Sequence, residues 1–352
     1  MTTDIRRAAT DAGLWLLVAP REVGGSEVSL PELAAVFERL GEADLAFCWT
    51  AMNSTITQLM GAFVAPDVAE QVLKGADGPF GFSGAPTDID AVRVDGGWTV
   101  DARFRFMTGS ADARWCTAFG LDAQAPEAGM YAFILPMTDL TVTTNWVEAS
   151  AMRGTGSNAV TGDHVFVPDE RVVSLVQPPQ LDRPTFRVAP FVTLWVPCAA
   201  MVIGALRAAM GGCVQLVANK VAASPDRTPY TESGRLQQTL ADSAATIECL
   251  SAGLRAVVEE LWAAATAGRP PSVEVRARWW SLLFYVFDTA RHTVSDLYRS
   301  SGSAVYGAAN LVERSMRDIH AIATTFEQPP AQAFRADAGR ALAGKDPILP
   351  AF

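Results

Sequence analysis

The hydrophobic period changes twice along this 352-residue chain, and that change constrains the fold more than any single motif. From residue 3 to about residue 78, apolar residues recur at intervals of three and four, which is typical of amphipathic helices. From about residue 79 to 173 the period is two, which is typical of half-buried strands. Beyond the proline-rich stretch 177–184 the helical period returns. The predicted order is therefore helices, strands, helices.

The middle region begins with the clearest strand signal. Alternating apolar residues on either side of Gly96 and Gly97 predict a β-hairpin with one buried face. Three further runs with strand-like composition follow at 115–123, 130–137 and 163–173. Short strands with glycine and aspartate at their joints predict a small antiparallel barrel or sandwich.

The C-terminal region carries several long apolar stripes. One stripe runs from Glu232 to Ala265, and similar stripes run through 195–220, 274–300 and 311–326. Helices with one apolar face each are what an antiparallel bundle requires. We therefore predict an α+β multi-domain protein with an N-terminal helical domain (1–78), a middle antiparallel β-barrel or sandwich (79–175) and a C-terminal four-helix bundle (176–352).

The charge of the chain argues against two classes of partner. The net charge is −10, and the 28 lysines and arginines are scattered, so we expect neither nucleic acid nor a membrane surface to bind. The most apolar window, Leu194–Cys213, contains Pro197 and Arg207 and predicts a buried helix rather than a membrane span. The N-terminus has no apolar leader segment, so we expect a cytoplasmic protein.

Common catalytic and metal-binding motifs do not fit this chain. Gly154–Ala159 resembles a dinucleotide-binding loop, but an extended run follows it where a helix is required. Gly339–Lys345 resembles a phosphate loop, but Asp346 follows it in place of a hydroxyl residue. No G-x-S-x-G or H-E-x-x-H motif is present. The five cysteines are widely separated and predict reduced core residues rather than a zinc site: Cys48, Cys116, Cys198, Cys213 and Cys249.

Collinear segments across nearly the whole chain resemble the acyl-CoA dehydrogenase superfamily. Residues 13–25 (GLWLLVAPREVGG) resemble its entry loop, and residues 38–50 (ERLGEADLAFCWT) resemble the helix after that loop. Residues 94–115 are similar to the superfamily's β-hairpin, which in those proteins runs along a flavin. The resemblance implies an acyl-CoA dehydrogenase-like fold and a flavin cofactor, FAD or FMN.

The finer resemblance is to the two-component flavin-dependent monooxygenases of that superfamily. The hairpin of this branch ends as residues 108–112 do here, and its next loop carries a tryptophan and then the Arg-Gly-Thr-Gly-Ser-Asn found at Arg153–Asn158. Two positions depart from the branch. Thr325 stands where the branch has a histidine, and Asn53 stands where it often has another. The usual acid/base groups of the branch are therefore in question.

The cofactor-binding candidates follow from what flavin chemistry asks of a protein: hydrogen bonds to the ring and a dry pocket over it. Thr108, Ser110 and Ser83 are candidate donors to the flavin ring, and the alternative is that they cap their own turns. Aromatic candidates for the flavin pocket, one or two of which we expect to serve, are Trp146, Trp115, Phe104 and Phe106. Arg227, with Lys220, is either a pyrophosphate ligand or a solvated helix end.

Three residues are candidates for the catalytic step. Ser110 would serve through its hydrogen bond, and His320 would serve as a proton-transfer group if its ring faces the pocket; a packing role is the alternative for His320. Glu327 lies one residue out of register with the α-proton-abstracting glutamate of the dehydrogenases, and an exposed carboxylate is the alternative.

The resemblance implies a flavin-dependent oxidoreductase, and three functions compete. The first is a monooxygenase that uses O2 and reduced flavin from a separate reductase on a small aromatic or amine substrate. The second is a dehydrogenase that desaturates an acyl thioester with Glu327 as base. The third is a degenerate binding or scaffold protein. Apolar surface around 278–287 and the family resemblance predict a homodimer or homotetramer.

Overall fold

A computed structural model describes residues 1–84, 88–221, 227–306 and 310–349. The N-terminal part contains four helices: α1 (Thr3–Asp11), α2 (Leu30–Gly41), α3 (Leu45–Met60) and α4 (Pro66–Leu73). Helix α2 begins with a capping box, in which Ser29 and Glu32 satisfy each other's backbone N–H groups. Helix α3 begins at Asp44, whose carboxylate accepts the Phe47 N–H. Nearly all of α3 is buried, including Asn53, which lines the cavity described below.

Eight strands form one sheet among the described residues: β1 (Gly81–Ser83), β2 (Ile89–Val94), β3 (Gly97–Met107), β4 (Trp115–Asp122), β5 (Met130–Pro136), β6 (Thr141–Thr143), β7 (Asn158–Pro168) and β8 (Val172–Ser174). The order is β6-β7-β3-β2-β4-β5-β8, with β1 also paired to β4. Strands β2 and β3 form the predicted hairpin, with Gly96 in the left-handed conformation that the tight turn requires.

Most strand pairs in the sheet are antiparallel, as the sequence predicts, but β4 runs parallel to both β1 and β2. Short β1 and β2 lie along the same edge of β4, and an isolated bridge joins Phe82 of β1 to Thr108 just beyond β3. This arrangement brings Ser83 and Thr108 to the same end of the sheet. Neighbouring residues along the chain do not reveal it, because the pairing is between distant segments.

Six helices follow the sheet: α5 (Pro184–Arg187), α6 (Pro190–Val217), α7 (Gly234–Thr266), α8 (Val273–Ser301), α9 (Leu311–Phe326) and α10 (Pro329–Leu342). Helices α6 to α9 coincide with the four predicted apolar stripes and confirm a helical C-terminal region. The sequence analysis does not anticipate α10, which starts at Pro329 and Pro330, where proline fits the first helical turn. The domain boundaries at 78 and 175 stay predictions.

Helix α6 is the central element of the bundle. A Cβ on Gly204 would lie 2.0 Å from the Glu38 carbonyl oxygen, so only glycine allows α2 and α6 to approach this closely. Arg207 of α6 donates to Glu38 at 2.9 Å across the same contact. Among the described residues α6 is the one helix with the length and hydropathy of a membrane span, and 72% of its most apolar window is buried inside the protein. A core helix has the same properties, as the sequence predicts.

The cysteines lie mostly where the sequence places them. Cys48, Cys116, Cys198 and Cys213 are buried and free, whereas Cys249 is exposed, on the outer face of α7. Burial raises the pKa of Cys116 to about 12 and raises the pKa of Cys198 well above its ordinary value. These buried thiols are therefore protonated and unreactive at neutral pH.

Candidate functional site

A cavity of about 770 Å³ lies where one end of the sheet meets the helical bundle. Its walls come from α3, from the ends of β1 and β3, from the loop 146–157, and from α6, α8, α9 and α10. Phe106 at its rim is 61% exposed and Thr325 is exposed, so the cavity opens to solvent on this side. A cavity of this size is typical of sites for cofactors and small ligands.

One side of the cavity is lined by hydroxyl groups and is called here the hydroxyl wall: Ser83, Thr108, Thr155 and Ser157. Thr108 Oγ1 accepts the indole N–H of Trp49 at 3.1 Å and lies 3.1 Å from Ser157 Oγ. Ser157 Oγ lies 2.7 Å from Thr155 Oγ1. These four hydroxyl residues are all at most 5% exposed. Three of them, Thr108, Ser157 and Thr155, form a continuous chain of buried hydroxyl groups.

The loop that carries Thr155 and Ser157 is held in an unusual conformation. Met152 has a φ of 53° although it is not glycine, and its N–H donates to Asp318 Oδ1 of α9 at 2.7 Å. At the end of the loop, Asn158 Oδ1 accepts the N–H groups of Asn145 and Trp146 at 3.2 Å each. Strained residues of this kind persist only when surrounding bonds impose them. Asp318 of α9 therefore holds the loop that carries part of the hydroxyl wall.

Burial raises the pKa of Asp318 above its ordinary value. The Met152 N–H and the nearby cations Arg317 and Arg314 oppose that shift, while the negative charge of Asp44 adds to it. The carboxylate is only 5% exposed but does not line the cavity. Its contact is with the loop backbone, so its role in this geometry is to position the loop.

The other side of the cavity consists largely of rings and is called here the aromatic wall: Phe191, Trp195, Trp280, Phe284, Phe326 and Phe334. Phe326 is its centre, with ring centroids 4.9 Å from Trp195 and 6.1 Å from Phe284, both edge to face. Trp280 stacks on Phe334 at 4.3 Å, which ties α8 to α10. Four separate helices supply these rings, so the wall exists only after the bundle has assembled.

The structure places three of the proposed cofactor-binding residues at the cavity: Ser83, Thr108 and Trp146. The indole N–H of Trp146 donates to the Met152 carbonyl at 3.0 Å, which fixes its ring against the loop. Ser110 does not line the cavity; its hydroxyl donates to the Gly156 carbonyl at 2.9 Å and accepts weakly from Asn158 at 3.4 Å. It supports the hydroxyl wall from behind.

The remaining candidates lie away from the cavity. His320 Nε2 is 3.0 Å from Ser295 Oγ of α8, and burial together with Arg291 lowers the pKa of His320. Glu327, at the end of α9, forms an ion pair with Arg291 and keeps 45% of its side chain exposed. Arg227 is exposed, with a positive φ of 52°, and none of the three lines the cavity. Lys220 donates to the Ser301 carbonyl at 3.2 Å, also outside it.

The four aromatic candidates separate into two pairs. Trp146 and Phe106 line the cavity and contact each other edge to face, with centroids 5.9 Å apart. An irregularity in the β3–β7 register between Phe104 and Met107 turns Phe106 outward, while Phe104 stays in the core of the sheet at 1% exposure. Trp115 lies elsewhere, under the guanidinium of Arg171.

Several cavity residues were not identified from the sequence. Thr155 and Ser157 belong to the Arg153–Asn158 motif that carries the resemblance, so that motif was an available signal. Trp49, also unidentified, donates to Thr108 across 59 residues of chain, and no local pattern reveals such a pair. In the sequence, the rings of the aromatic wall cannot be told from ordinary core residues of a helical bundle. Phe334 lies on α10, which the sequence analysis does not anticipate.

The described lining of the cavity contains no Asp, Glu, His, Cys, Lys, Arg or Tyr side chain. Asn53 and Thr325, the two positions that depart from the monooxygenase pattern, both line it. Asn53 Nδ2 donates to the Trp49 carbonyl at 2.7 Å, within its own helix. Among the described residues no group of three or more His, Cys, Asp or Glu is placed to hold a metal ion. The site can offer hydrogen bonds, apolar contact and exclusion of water.

The chain is similar in sequence to a family of flavin enzymes and to individual hydroxylases. Residues 196–327 match the acyl-CoA dehydrogenase C-terminal domain family. The chain is 27% identical over 329 residues to a pigment production hydroxylase from Rhodococcus sp., covering 88% of this chain and 81% of that protein. It is 26% identical over 330 residues to the oxygenase component of an FADH2-dependent resorcinol hydroxylase from Rhizobium sp., covering 88% and 80%.

The fold has solved counterparts. The structure of XiaF from Streptomyces sp., in complex with FADH2 and glycerol, superposes with a TM-score of 0.87 at 23% identity, covering 98% of this chain and 89% of that one. The predicted resemblance and the α+β fold class are confirmed: the chain has the acyl-CoA dehydrogenase fold and resembles the flavin-dependent monooxygenases that share it.

Proposed function

We propose that this chain, built on the acyl-CoA dehydrogenase fold and similar in sequence to flavin-dependent hydroxylases, is the oxygenase component of a two-component flavin-dependent monooxygenase that acts on small aromatic substrates. One observation carries the proposal. The large cavity has hydrogen-bonding hydroxyls on one side and aromatic rings on the other, without a carboxylate among its described lining residues.

The residues present fit a flavin ring. An isoalloxazine is flat, with an apolar end and a polar edge of nitrogens and carbonyls. The hydroxyl wall offers Thr108, Ser157 and Ser83 beside one edge of the cavity, and Trp146 offers a flat face held by its bond to the Met152 carbonyl. The shared family fold and the FADH2-dependent relative support the same assignment.

A bound reduced flavin would supply two electrons, so that substrate RH and O2 become ROH and water while the flavin is oxidised. The contribution of the chain itself is positioning. Thr108 Oγ1 is fixed by Trp49 and Ser157, so its hydrogen-bonding direction is set before a ligand arrives. The rings of the aromatic wall lower the local polarity, which strengthens those hydrogen bonds.

A dehydrogenase would need a carboxylate base next to the substrate. Glu327 pairs with Arg291 and points away from the cavity, and the ring of the preceding Phe326 occupies the wall instead. The scaffold alternative asks for a filled or collapsed site, whereas this cavity has the volume of a ligand site. Both observations favour the oxygenase.

The proposal includes partners and a cofactor choice that stay predictions. The described sheet is mostly antiparallel and offers no doubly wound nicotinamide site, which favours a separate flavin reductase. FAD and FMN both remain candidates. Exposed apolar side chains on the bundle helices, such as Val214 and Tyr285, favour a homodimer or homotetramer, and the cytoplasmic location is part of the same proposal.

The test is a flavin titration followed by turnover. We expect FAD or FMN, oxidised or reduced, to bind with a Kd of about 1 μM or lower, a range within reach of small-ligand sites. With a flavin reductase, NADH and 18O2, one labelled oxygen should appear in an aromatic product, as measured by mass spectrometry. Absence of any spectral or calorimetric change with both flavins in both redox states would refute the proposal and favour the scaffold reading.

A further inference from the structure

The most distinctive chemical feature of the cavity is its lack of ionisable side chains. Among the residues of its described lining, the polar groups are hydroxyls, amides and indole N–H groups only. Several of these groups already form hydrogen bonds within the protein. Thr324 Oγ1 donates to the Ala321 carbonyl at 2.7 Å and Gln328 Nε2 donates to the Thr324 carbonyl at 3.2 Å. Among the described lining residues, no side chain is a cation that could pair with an anionic ligand.

Three arginines on α8, α9 and α10 are paired with carboxylates and do not line the cavity. Arg291 forms an ion pair with Glu327 at the end of α9. Arg335 of α10 lies 3.0 Å from Asp288, with its guanidinium 5.6 Å from the centroid of the Phe284 ring. Arg317 is paired with Glu313 along α9. Each of these three arginines therefore has a carboxylate partner.

We propose that this site selects neutral, electron-rich polycyclic aromatic substrates and rejects their ionised analogues. The inference rests on the proposed function and deepens it by naming the substrate class. An ionised group taken into this cavity would lose its water and gain no counter-ion, which is among the most costly events in binding. A flat neutral ring loses little on leaving water and gains edge and face contacts with the aromatic wall.

The same feature restricts the chemistry. A phenol reacts best with an electrophilic oxygen as its phenolate, and forming that anion needs a base that the described lining lacks. A ring whose own nitrogen or sulfur lone pair supplies the electrons needs no such base. The overall reaction is the one proposed above. One oxygen atom of O2 is inserted into a C–H bond or added to a sulfur lone pair. The other oxygen atom is reduced to water by the two electrons of the reduced flavin.

The size and shape of the aromatic wall favour fused rings. Phe326 and Trp195 meet edge to face, and Trp280 and Phe334 stack, so the wall presents ring faces and edges from four helices. The cavity, at about 770 Å³, holds more than a flavin ring alone would fill. A bicyclic or tricyclic substrate is the neutral class that uses this area.

The experiment compares matched ligands with the flavin-loaded protein under anaerobic conditions. The neutral probes are indole, naphthalene and benzothiophene; the charged probe is indole-3-acetate, which is indole with one carboxylate. Binding is followed by quenching of tryptophan fluorescence and by calorimetry. We expect at least one neutral probe to bind, and indole-3-acetate to bind about 100-fold more weakly than indole, because its buried charge lacks a partner.

Two variants test whether the absence of a cation causes the preference for neutral ligands. Ala321 lines the cavity from the middle of α9, and Ala321→Lys would add a cation there, while Ala321→Met adds similar bulk without charge. We expect the lysine variant to narrow the preference for indole over indole-3-acetate by about tenfold or more, and the methionine variant to leave the preference unchanged. Equal effects of both variants would mean that volume, not charge, sets the selection.

The outcomes separate the two proposals. If flavin binds and indole-3-acetate binds as well as indole or better, the substrate class is wrong and the monooxygenase proposal stands. If flavin binds and no neutral probe binds, the substrate class is also wrong. If neither flavin binds in either redox state, the proposed function fails and the inference that rests on it fails too.

Discussion

The two walls of the cavity are held together by different forces. The hydroxyl wall depends on directional bonds, with Thr108 Oγ1 at 3.1 Å from both Trp49 Nε1 and Ser157 Oγ. The aromatic wall depends on buried ring area, centred on Phe326, whose ring also stacks on Phe287 at 3.8 Å. Hydrogen bonds weaken steeply when their geometry changes, whereas packing changes more gradually with shape. We therefore expect the first wall to set the orientation of a ligand and the second to set which ligands enter.

A buried hydrogen bond between α9 and the loop 146–157 couples the two walls. Asp318 belongs to α9, the helix that supplies Phe326, and it accepts the N–H of Met152 in the loop that supplies Thr155 and Ser157. We therefore expect a change in the position of α9 to reach the hydroxyl wall through this bond and through the bond from Arg317 to the Ser150 carbonyl. The following predictions test how separable the two walls are.

The largest effect is expected on the aromatic wall. Phe326→Ala removes the ring that joins Trp195, Phe284 and Phe287, and the free energy of unfolding should fall by about 3–5 kcal/mol, the range for buried aromatic residues. Urea denaturation followed by circular dichroism measures this. Phe191→Ala, at a partly buried position of the same wall, should cost less. If both losses were equally small, the wall would be too loose to select ligands.

On the hydroxyl wall we expect a smaller loss of stability and a clear loss of flavin affinity. Thr108→Val leaves the Trp49 N–H and the Ser157 hydroxyl short of a partner, so stability should fall by about 1–3 kcal/mol and flavin affinity by about tenfold. The matched control is Thr57→Val, which breaks a buried hydroxyl pair with Thr117 (2.8 Å apart) away from the cavity. It should cost similar stability and leave flavin affinity unchanged; a loss of affinity there would contradict the assignment.

The coupling contact gives the third prediction. Asp318→Ala leaves the Met152 N–H unsatisfied and should cost about 1–3 kcal/mol, with weaker flavin binding, because the loop is no longer held. Asp318→Asn keeps an acceptor oxygen and should retain most of the binding. Calorimetry of flavin binding and thermal unfolding measure both. Equal behaviour of the two variants would show that the hydrogen bond does not position the loop.

The pH dependence of Asp318 has a defined sign. Since its pKa is raised in the folded protein, the native state holds this proton at pH values where the unfolded chain, with a pKa of about 3.9, has lost it. Its contribution to stability is therefore complete below the unfolded pKa and is lost as pH rises through the folded pKa. Asp318→Asn carries no such proton, so its stability should decline less than that of the wild type as pH rises from about 4.

The smallest effect is expected just outside the aromatic wall. Glu327→Gln breaks a partly exposed ion pair with Arg291 and should change stability by less than about 1 kcal/mol and turnover by no more than about threefold. A turnover loss of about 10³-fold would instead identify a general base and support the dehydrogenase alternative. His320→Asn, which alters a contact with Ser295, should change stability more than rate.

Ser110 supplies the contrast to Glu327. Its hydroxyl donates to the Gly156 carbonyl between Thr155 and Ser157, so Ser110→Ala should loosen the hydroxyl wall and reduce turnover by about tenfold or more. Steady-state assays with the reductase measure it beside Glu327→Gln. A Ser110→Ala enzyme with wild-type turnover would mean that the wall is held by the Thr108 and Asp318 contacts alone.

Local pattern in the sequence was sufficient for the order of elements and for part of the hydroxyl wall. The change of period predicts helices, strands and helices, and Gly96 and Gly97 predict the β2–β3 hairpin, because both signals lie within one element or one turn. Thr108 and Trp146 stand in motifs that resemble a known family, whereas Ser83 was proposed from its position in the preceding strand. A helix starting with two prolines, α10, was missed because its signal is short and weakly apolar.

Only the tertiary structure decided which side chains share the cavity. Phe326 and Glu327 are consecutive, yet an α-helix turns by about 100° per residue, so the ring points into the wall while the carboxylate pairs with Arg291 outside it. The aromatic wall draws on four helices, and Trp49 reaches Thr108 across 59 residues. Such contacts are set by how distant segments pack, and the identity of a residue determines its chemistry but not the surface it faces.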